Sequence, residues 1–368
     1  MPTIKDIGAP TVFAKFQSKE MLGEMGRLLF WVLNTFASSG YQIRLFDNLS
    51  RAALDKYGRL ACALPQVTLT GAVPTETEEM IYLFDKEDRA LAARSWRKRV
   101  QIRFDVFSPY WFSRPMIVPY PMHPVHAGAD LVARLQRHRE ARKKMRIFFS
   151  GDTKGYVASR IKYPQPKLPR SEVIDTILRN AGEKALLVGG EEDLDRRCSA
   201  GYVNACLIME QDSRIQDARW LETLATSDFF LCPPGYVMPM CHNTVEAMGV
   251  GTIPIINYAE WFDPSLEHMR NCVVFHDRSD LLAKMDQVLA MDQGRIAAMR
   301  QAVIAYYEEH LAPQSFMRKV EASNRSKVTV LLITDANVSR NAAKLNARSV
   351  LIRGKGRSRS SLERRQLT

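Results

Sequence analysis

The residues whose types and spacing suit chemistry fall in three short stretches. The richest is Cys232-Pro233-Pro234-Gly235, followed by Asn243-Thr244-Val245-Glu246. A glycine turn that feeds a helix start presents unpaired N–H groups and a partial positive charge, which suits a phosphate. Pro234, Gly235, Asn243 and Thr244 therefore read as contacts to a phosphate, and Glu246, one turn in, as an acceptor of hydrogen bonds from sugar hydroxyls. The plainer alternative is that Asn243 or Thr244 only caps the helix, Glu246 is solvated and the glycines only make turns. The second stretch is Gly151-Asp152-Thr153-Lys154-Gly155, a small-residue turn after an apolar run, where Gly151 and Lys154 suit a diphosphate. It has the spacing of neither a P-loop nor a dinucleotide fingerprint. The third holds His123 and His126; a neutral imidazole near pH 7 can take a proton from a hydroxyl, although a loop histidine usually has no such task. Asp193-Leu194-Asp195 fits the Asp-x-Asp pattern that holds a divalent ion, but it sits in a charged run and reads as a solvated loop; no metal residues are assigned.

The elements that must position these residues are those of an α/β protein. Phe229 to Cys232 is a buried strand closed by Pro233-Pro234-Gly235, Asn243 to Met248 a short helix, and Ile253 to Ile256 a second strand. Parallel strands need such a crossover, and open α/β sheets bind ligands outside the carboxyl ends of their strands. Arg146 to Ser150 is the strand ahead of the Gly151 turn, Ser171 caps a helix over 172–180, and Lys184 to Gly189 is a further strand. Tyr202 to Ala225 reads as a linker and helix, and 280–291 and 295–310 as closing helices. At the other end of the chain, Pro10 to Phe16 is a strand, Lys19 to Ser38 an amphipathic helix stopped by Ser39-Gly40, and Tyr41 to Asp47 a strand. Gln66 to Leu69 is strand-like, 76–82 a helical acidic stretch, and Val100 to Phe107 a strand. Five prolines between Ser108 and His126 favour a strand ending in an extended loop. Lys327 to Asp335 is a convincing strand with no place among these elements.

The run from Ser227 to Asn257, with its Pro-Pro-Gly turn, Glu-Ala pair and Gly-Thr-Ile-Pro-Ile-Ile strand, resembles the C-terminal half of exostosin-type glycosyltransferases. The resemblance continues through Trp261-Phe262-Asp263-Pro264 and Val273-Val274-Phe275, and covers roughly Met145 to Tyr307. It implies a GT-B-like fold, two Rossmann-like domains facing across a cleft, and a nucleotide-sugar donor bound by the second domain. It also implies transfer to a glycan or glycolipid acceptor without a metal ion or other cofactor. Arg160, with Arg170 behind it, is the nearest match to an arginine that follows the first strand of that half, and His123 and His126 would lie near the cleft. Where the family carries an arginine three residues before the glutamate, this chain has Asn243. Met238 stands where many retaining GT-B enzymes have an earlier glutamate, so the stereochemistry of transfer is not inherited. A fucosyltransferase-like GT-B enzyme is the nearest enzyme alternative.

Composition sets the remaining bounds. At 46% hydrophobic residues, 368 residues suffice for two domains with cores. The expected division is 1–127 as the acceptor-side domain, 128–145 as a basic connecting helix, 146–322 as the donor domain and 323–368 as a basic tail. That tail holds eleven Lys or Arg against two acids, so it carries nine of the twelve net positive charges. It reads as a partly disordered segment able to lie on anionic lipid, without specific nucleic-acid recognition, or else as a solvated end; a nucleic-acid or membrane-surface binding module is the non-enzyme alternative. No apolar run approaches the ~20 residues of a membrane span, and Met1-Pro-Thr-Ile-Lys-Asp6 is not a signal peptide, so a cytoplasmic enzyme, peripheral at most to the inner membrane face, is expected. The six cysteines lie singly and read as reduced thiols.

Overall fold

The structure is a computed structural model that describes residues 9–49, 54–105, 115–118, 121–128, 130–152, 167–235, 238–335, 338 and 349. It divides into two compact units, Met1–Ala127 with Leu311–Asn337, and Gly128–His310 with Val338–Thr368. Both are parallel-sheet α/β units of Rossmann type, the fold class expected from the sequence.

The first unit opens with β1 (Thr11–Lys15), α1 (Arg27–Ala37), β2 (Gln42–Phe46), α2 (Lys56–Cys62), β3 (Val67–Thr70), β4 (Ile81–Phe84), α3 (Arg89–Ala92), β5 (Lys98–Arg103) and β6 (Met116–Val118). The second contains α4 (Leu131–Arg139), β7 (Met145–Phe149), α5 (Arg170–Asn180), β8 (Ala185–Val188), α6 (Glu191–Ser199), β9 (Val203–Met209) and α7 (Asp217–Ala225). It continues with β10 (Ser227–Leu231), α8 (His242–Gly249), β11 (Ile253–Ile256), β12 (Val273–Val274), α9 (Arg278–Leu289) and α10 (Gln293–Tyr306). The chain then returns to the first unit as α11 (Pro313–Ala322) and β13 (Lys327–Leu332).

That return gives the unplaced strand a place. The first sheet runs β3-β2-β1-β4-β5-β13-β6, with β13 parallel to β5 on one side and to β6 on the other. Val328, Val330, Leu331 and Leu332 are buried there. The stretch 313–332, taken from the sequence as the end of the donor domain and the start of the tail, thus supplies a helix and an interior strand to the first unit. Its isolated apolar run could not satisfy its backbone alone, and both neighbours lie more than two hundred residues away in the chain. Beyond residue 338, nearly all of the expected tail lies outside the described residues.

The sheet of the second unit runs β12-β11-β10-β7-β9-β8, all parallel. Its central strands β7, β10 and β11 are buried at every position, as strands covered on both faces must be. From β7 the chain builds β8 and β9 on one side, then crosses to build β10, β11 and β12 on the other. The topological switch point therefore lies between the carboxyl ends of β7 and β10, where such sheets hold ligands. In the first unit the switch falls between β1 and β4.

Several local expectations are corrected. The helix expected from Lys19 to Ser38 is two short 3-10 turns followed by α1, because Gly26 adopts φ +78° and its backbone lies against Gly58 at the start of α2. A Cβ on Gly26 would lie 2.3 Å from the Gly58 backbone nitrogen and 2.6 Å from its Cα, so this approach requires glycine at position 26. The acidic stretch 76–82 ends in β4, a central buried strand, rather than a helix. Part of the segment read as a linker after Tyr202 is β9, hydrogen-bonded between β7 and β8. Pro169, not Ser171, precedes the first residue of α5. Among the described residues, no helix is long and apolar enough to cross a membrane.

Candidate functional site

The switch point of the second unit is assembled from three strand ends and two helix starts. After β7 come Ser150, Gly151 and Asp152; after β10 come Cys232, Pro233, Pro234 and Gly235; after β11 comes Asn257. The Cys232 amide donates to Ile255 O at 2.8 Å, so the sheet remains paired up to the turn. Gly235 N donates to Pro239 O at 2.9 Å and closes the loop that leads into α8. A side chain at Gly235 is impossible in this form, since a Cβ would lie 2.6 Å from Met238 O and 2.9 Å from Met240 O.

Two helices begin at this point, α5 after Pro169 and α8 after Cys241, and neither of those two residues caps its helix with a side-chain hydrogen bond. Both direct N-terminal turns, with their partial positive charge, at the same place. Arg170, the first residue of α5, ties the parts together: Nη1 donates to Asp152 O at 2.7 Å and Nε to Pro234 O at 3.1 Å, while Nη2 lies 4.0 Å from Cys241 Sγ. One guanidinium thus joins the loop after β7, the loop after β10 and the residue that begins α8. Glu172, in the first turn of α5, is engaged by Arg278 Nε at 2.6 Å.

The structure brings most of the sequence-selected residues to this place. Gly151 and Asn243 face one another, since a Cβ on Gly151 would lie 3.7 Å from Asn243 Nδ2. Pro234 and Gly235 form the loop that Arg170 holds. Thr244 and Glu246 are turned inward on α8. Thr244 Oγ1 shares a 2.8 Å hydrogen bond with the Tyr258 hydroxyl, and burial holds that phenol well above its usual pKa. Glu246 is 1% exposed, and its Oε2 accepts the Trp220 indole N–H at 2.6 Å. Lys154 and Arg160 lie outside the described residues. Arg170, only the second match in the sequence, is the cation found at the site. A signal was present: arginine at the first position of a helix opposes the helix dipole, so its placement calls for another reason.

The two histidines lie in the first unit, His126 at the end of a short 3-10 turn, Pro124–His126, and His123 as the residue that caps it. His123 Nδ1 accepts the Val125 amide at 3.3 Å, which places the proton of the neutral ring on Nε2, 3.0 Å from the Tyr57 hydroxyl. Both nitrogens are thus engaged, and His123 can take a proton only if the Val125 amide lets go. His126 is 5% exposed. Asp193 and Asp195 belong to α6 rather than to a loop. Asp193 accepts from Gly189, Arg196 and Arg197, and Asp195 from Arg219, so the two carboxylates serve different partners.

The switch point of the first unit is tied by a carboxylate instead. At the carboxyl end of β4, Asp85 accepts the amides of Gln17 at 2.8 Å and Ser18 at 2.7 Å, and bonds the Ser18 hydroxyl as well. This internal carboxylate thus uses backbone N–H groups of the loop after β1.

No protein-family model matches the chain, and no curated protein matches it. Solved structures of similar form exist at very low identity. HepE of Anabaena, in complex with UDP and glucose, is 13% identical over 84% of this chain and 98% of its own, with a TM-score of 0.42. WaaG, a glycosyltransferase involved in lipopolysaccharide biosynthesis, is 10% identical over 85% and 100%, with a TM-score of 0.36. The N-terminal domain of a trehalose-6-phosphate phosphatase from Candida albicans is 8% identical over 86% and 97%, with a TM-score of 0.46. At these values the likeness carries no weight beyond what the sheets themselves show.

Proposed function

We propose that this protein is a glycosyltransferase, resembling the exostosin type, that moves a sugar from a nucleotide-sugar donor to a glycan or glycolipid acceptor without a metal ion. The observation that carries this reading is the β7/β10 crevice, where the starts of α5 and α8 meet at Arg170. In the first unit the backbone N–H groups after β1 are already taken by Asp85, which favours the second unit as the donor side.

Departure of a nucleoside diphosphate develops negative charge on its phosphates, and fixed N–H dipoles with a cation stabilise that charge without reorganisation. Gly151, Asn243, the Pro234–Gly235 loop and Arg170 form the proposed diphosphate cradle. Arg170 supplies the charge that the exostosin-type pattern places where this chain has Asn243. Thr244 and Glu246 hold α8 from behind through Tyr258 and Trp220. The candidates for the acceptor proton are His123, once the Val125 amide releases its Nδ1, and His126.

A thermal-unfolding screen of the full chain against UDP, GDP, CMP and their sugar conjugates, with and without EDTA, tests the reading. A ligand at a hundred times its Kd adds about 2.7 kcal/mol to stability. A shift that survives EDTA is expected; no shift with any nucleotide refutes the proposal, and a shift that EDTA abolishes refutes its metal-free part.

A further inference from the structure

We propose that Asn257 reads the donor: its side-chain oxygen accepts a hydrogen bond from an O–H or N–H group of the nucleotide sugar held at the β7/β10 crevice. The inference rests on the nucleotide-sugar reading and extends it by assigning one contact to one atom.

Asn257 follows β11 directly, and the β10–β11 register pairs Leu231 with Ile255. Continuing that register places Asn257 beside Pro233, one residue before the carbonyl that Arg170 holds. Its Nδ2 reaches Leu168 O at 3.5 Å, the outer limit of a hydrogen bond, and Leu168 lies two residues before Arg170. Donation to a carbonyl fixes which end of the amide is nitrogen, so Oδ1 points away from Leu168. Among the described residues that buried oxygen has no hydrogen-bond partner, and its side chain is only 4% exposed. A buried acceptor without a partner costs free energy, and sites built to bond a ligand group carry such atoms until the ligand arrives.

The chemistry of the missing partner is constrained. A phosphate oxygen ionised at neutral pH has no hydrogen to give, so the diphosphate itself cannot satisfy Asn257. Lys167, next to Leu168 in the chain, is held by Glu260 Oε1 at 2.6 Å. What remains is a donating group on either side of the diphosphate, a hydroxyl of the transferred sugar or, on the nucleoside, a ribose hydroxyl or a base N–H.

Isothermal titration of the full chain tests this, with wild type and Asn257→Leu, which keeps the size of the side chain and removes the acceptor. The probes are UDP, GDP and CMP and the nucleotide sugar of each that wild type binds. The variant is expected to bind the nucleotide sugar at least tenfold more weakly. An unchanged affinity for the bare nucleotide identifies the partner as a hydroxyl of the transferred sugar; an equal loss for the bare nucleotide identifies a nucleoside donor, which 2′- and 3′-deoxynucleotides then assign to the ribose or, if they bind like the parent, to a base N–H. Equal affinity of variant and wild type for both probes overturns the proposal. Should Asn257→Leu fail to fold, wild type is titrated with singly deoxygenated sugar conjugates, with 2′- and 3′-deoxynucleotides and with nucleotides methylated at the base N–H. One of these is expected to lose tenfold, and parent-like binding by all of them overturns the proposal. Wild type that binds no nucleotide refutes the nucleotide-sugar reading itself, a result distinct from a wild type that binds and a variant that binds equally.

Discussion

The most informative single residues are those whose surroundings oppose their intrinsic preference. Glu246 is an acid with its oxygen committed to a buried indole, and removing that donor leaves a carboxylate partly unsatisfied. Trp220→Phe is therefore expected to cost about 2 kcal/mol in urea unfolding, the scale of a hydrogen bond to a charged group, while the nucleotide affinity falls only if α8 moves. Lys143 is a second case, at the amino end of the same sheet. Burial, reinforced by Arg300 and opposed by Asp228, pushes its ammonium down to about 7, and its Nζ donates to Ala225 O at 2.5 Å. Between about 7 and the usual lysine pKa, ~10.4, the unfolded chain holds a proton there that the folded chain lacks, so stability rises with pH across this window. Lys143→Met is expected to raise the unfolding midpoint at pH 7 and to flatten its rise up to pH 10; an unaltered slope would mean that Lys143 stays charged in the fold.

At the level of elements, the β10–α8–β11 unit was legible because two continuous apolar runs are punctuated by Pro-Pro-Gly and Gly-Thr, and each run fills a central strand. What local pattern could not reveal was set by partners distant in sequence. β9 begins as Val-Asn-Ala-Cys, with little alternation, and becomes a strand because β7 and β8 pair with it on both sides. The break before α1 comes from Gly58, thirty-two positions beyond Gly26, through a backbone contact that no helical periodicity encodes. Gly26→Ala is accordingly expected to destabilise the first unit by about 3 kcal/mol, from the positive φ and the overlap with Gly58, as read from its chemical unfolding curve. At the site, the residue types were legible at Gly151, Pro234, Gly235 and Asn243. The inward turn of Thr244 and Glu246 was not, because the face of α8 that meets the core depends on Trp220 and Tyr258, which belong to other elements.

Over the whole molecule, the return of α11 and β13 changes how the C-terminal region must be cut. A deletion of 323–368, reasonable if that region were only a tail, removes the strand that joins β5 to β6 and should unfold the first unit. Deleting 351–368 instead removes six Lys or Arg and one acid while leaving every described strand in place. It is expected to leave the unfolding midpoint and nucleotide affinity unchanged and to lower salt-sensitive binding to anionic vesicles or RNA; a lost nucleotide affinity would place part of the donor site in that segment. The two units also differ in a way that bears on function. Each has a switch point: in one the backbone after β1 is bonded by Asp85, and in the other Arg170 bonds the carbonyls of Asp152 and Pro234.

The central claim is that a donor diphosphate sits at the β7/β10 crevice against Arg170. The most direct measurement is the Kd of the preferred nucleoside diphosphate for the full chain and for Arg170→Ala, by titration calorimetry in EDTA. Arg170→Ala is expected to weaken binding by about 30-fold to 100-fold, the loss of roughly 2–3 kcal/mol from a charge-assisted contact. A folded Arg170→Ala protein that binds the diphosphate as tightly as wild type would contradict it.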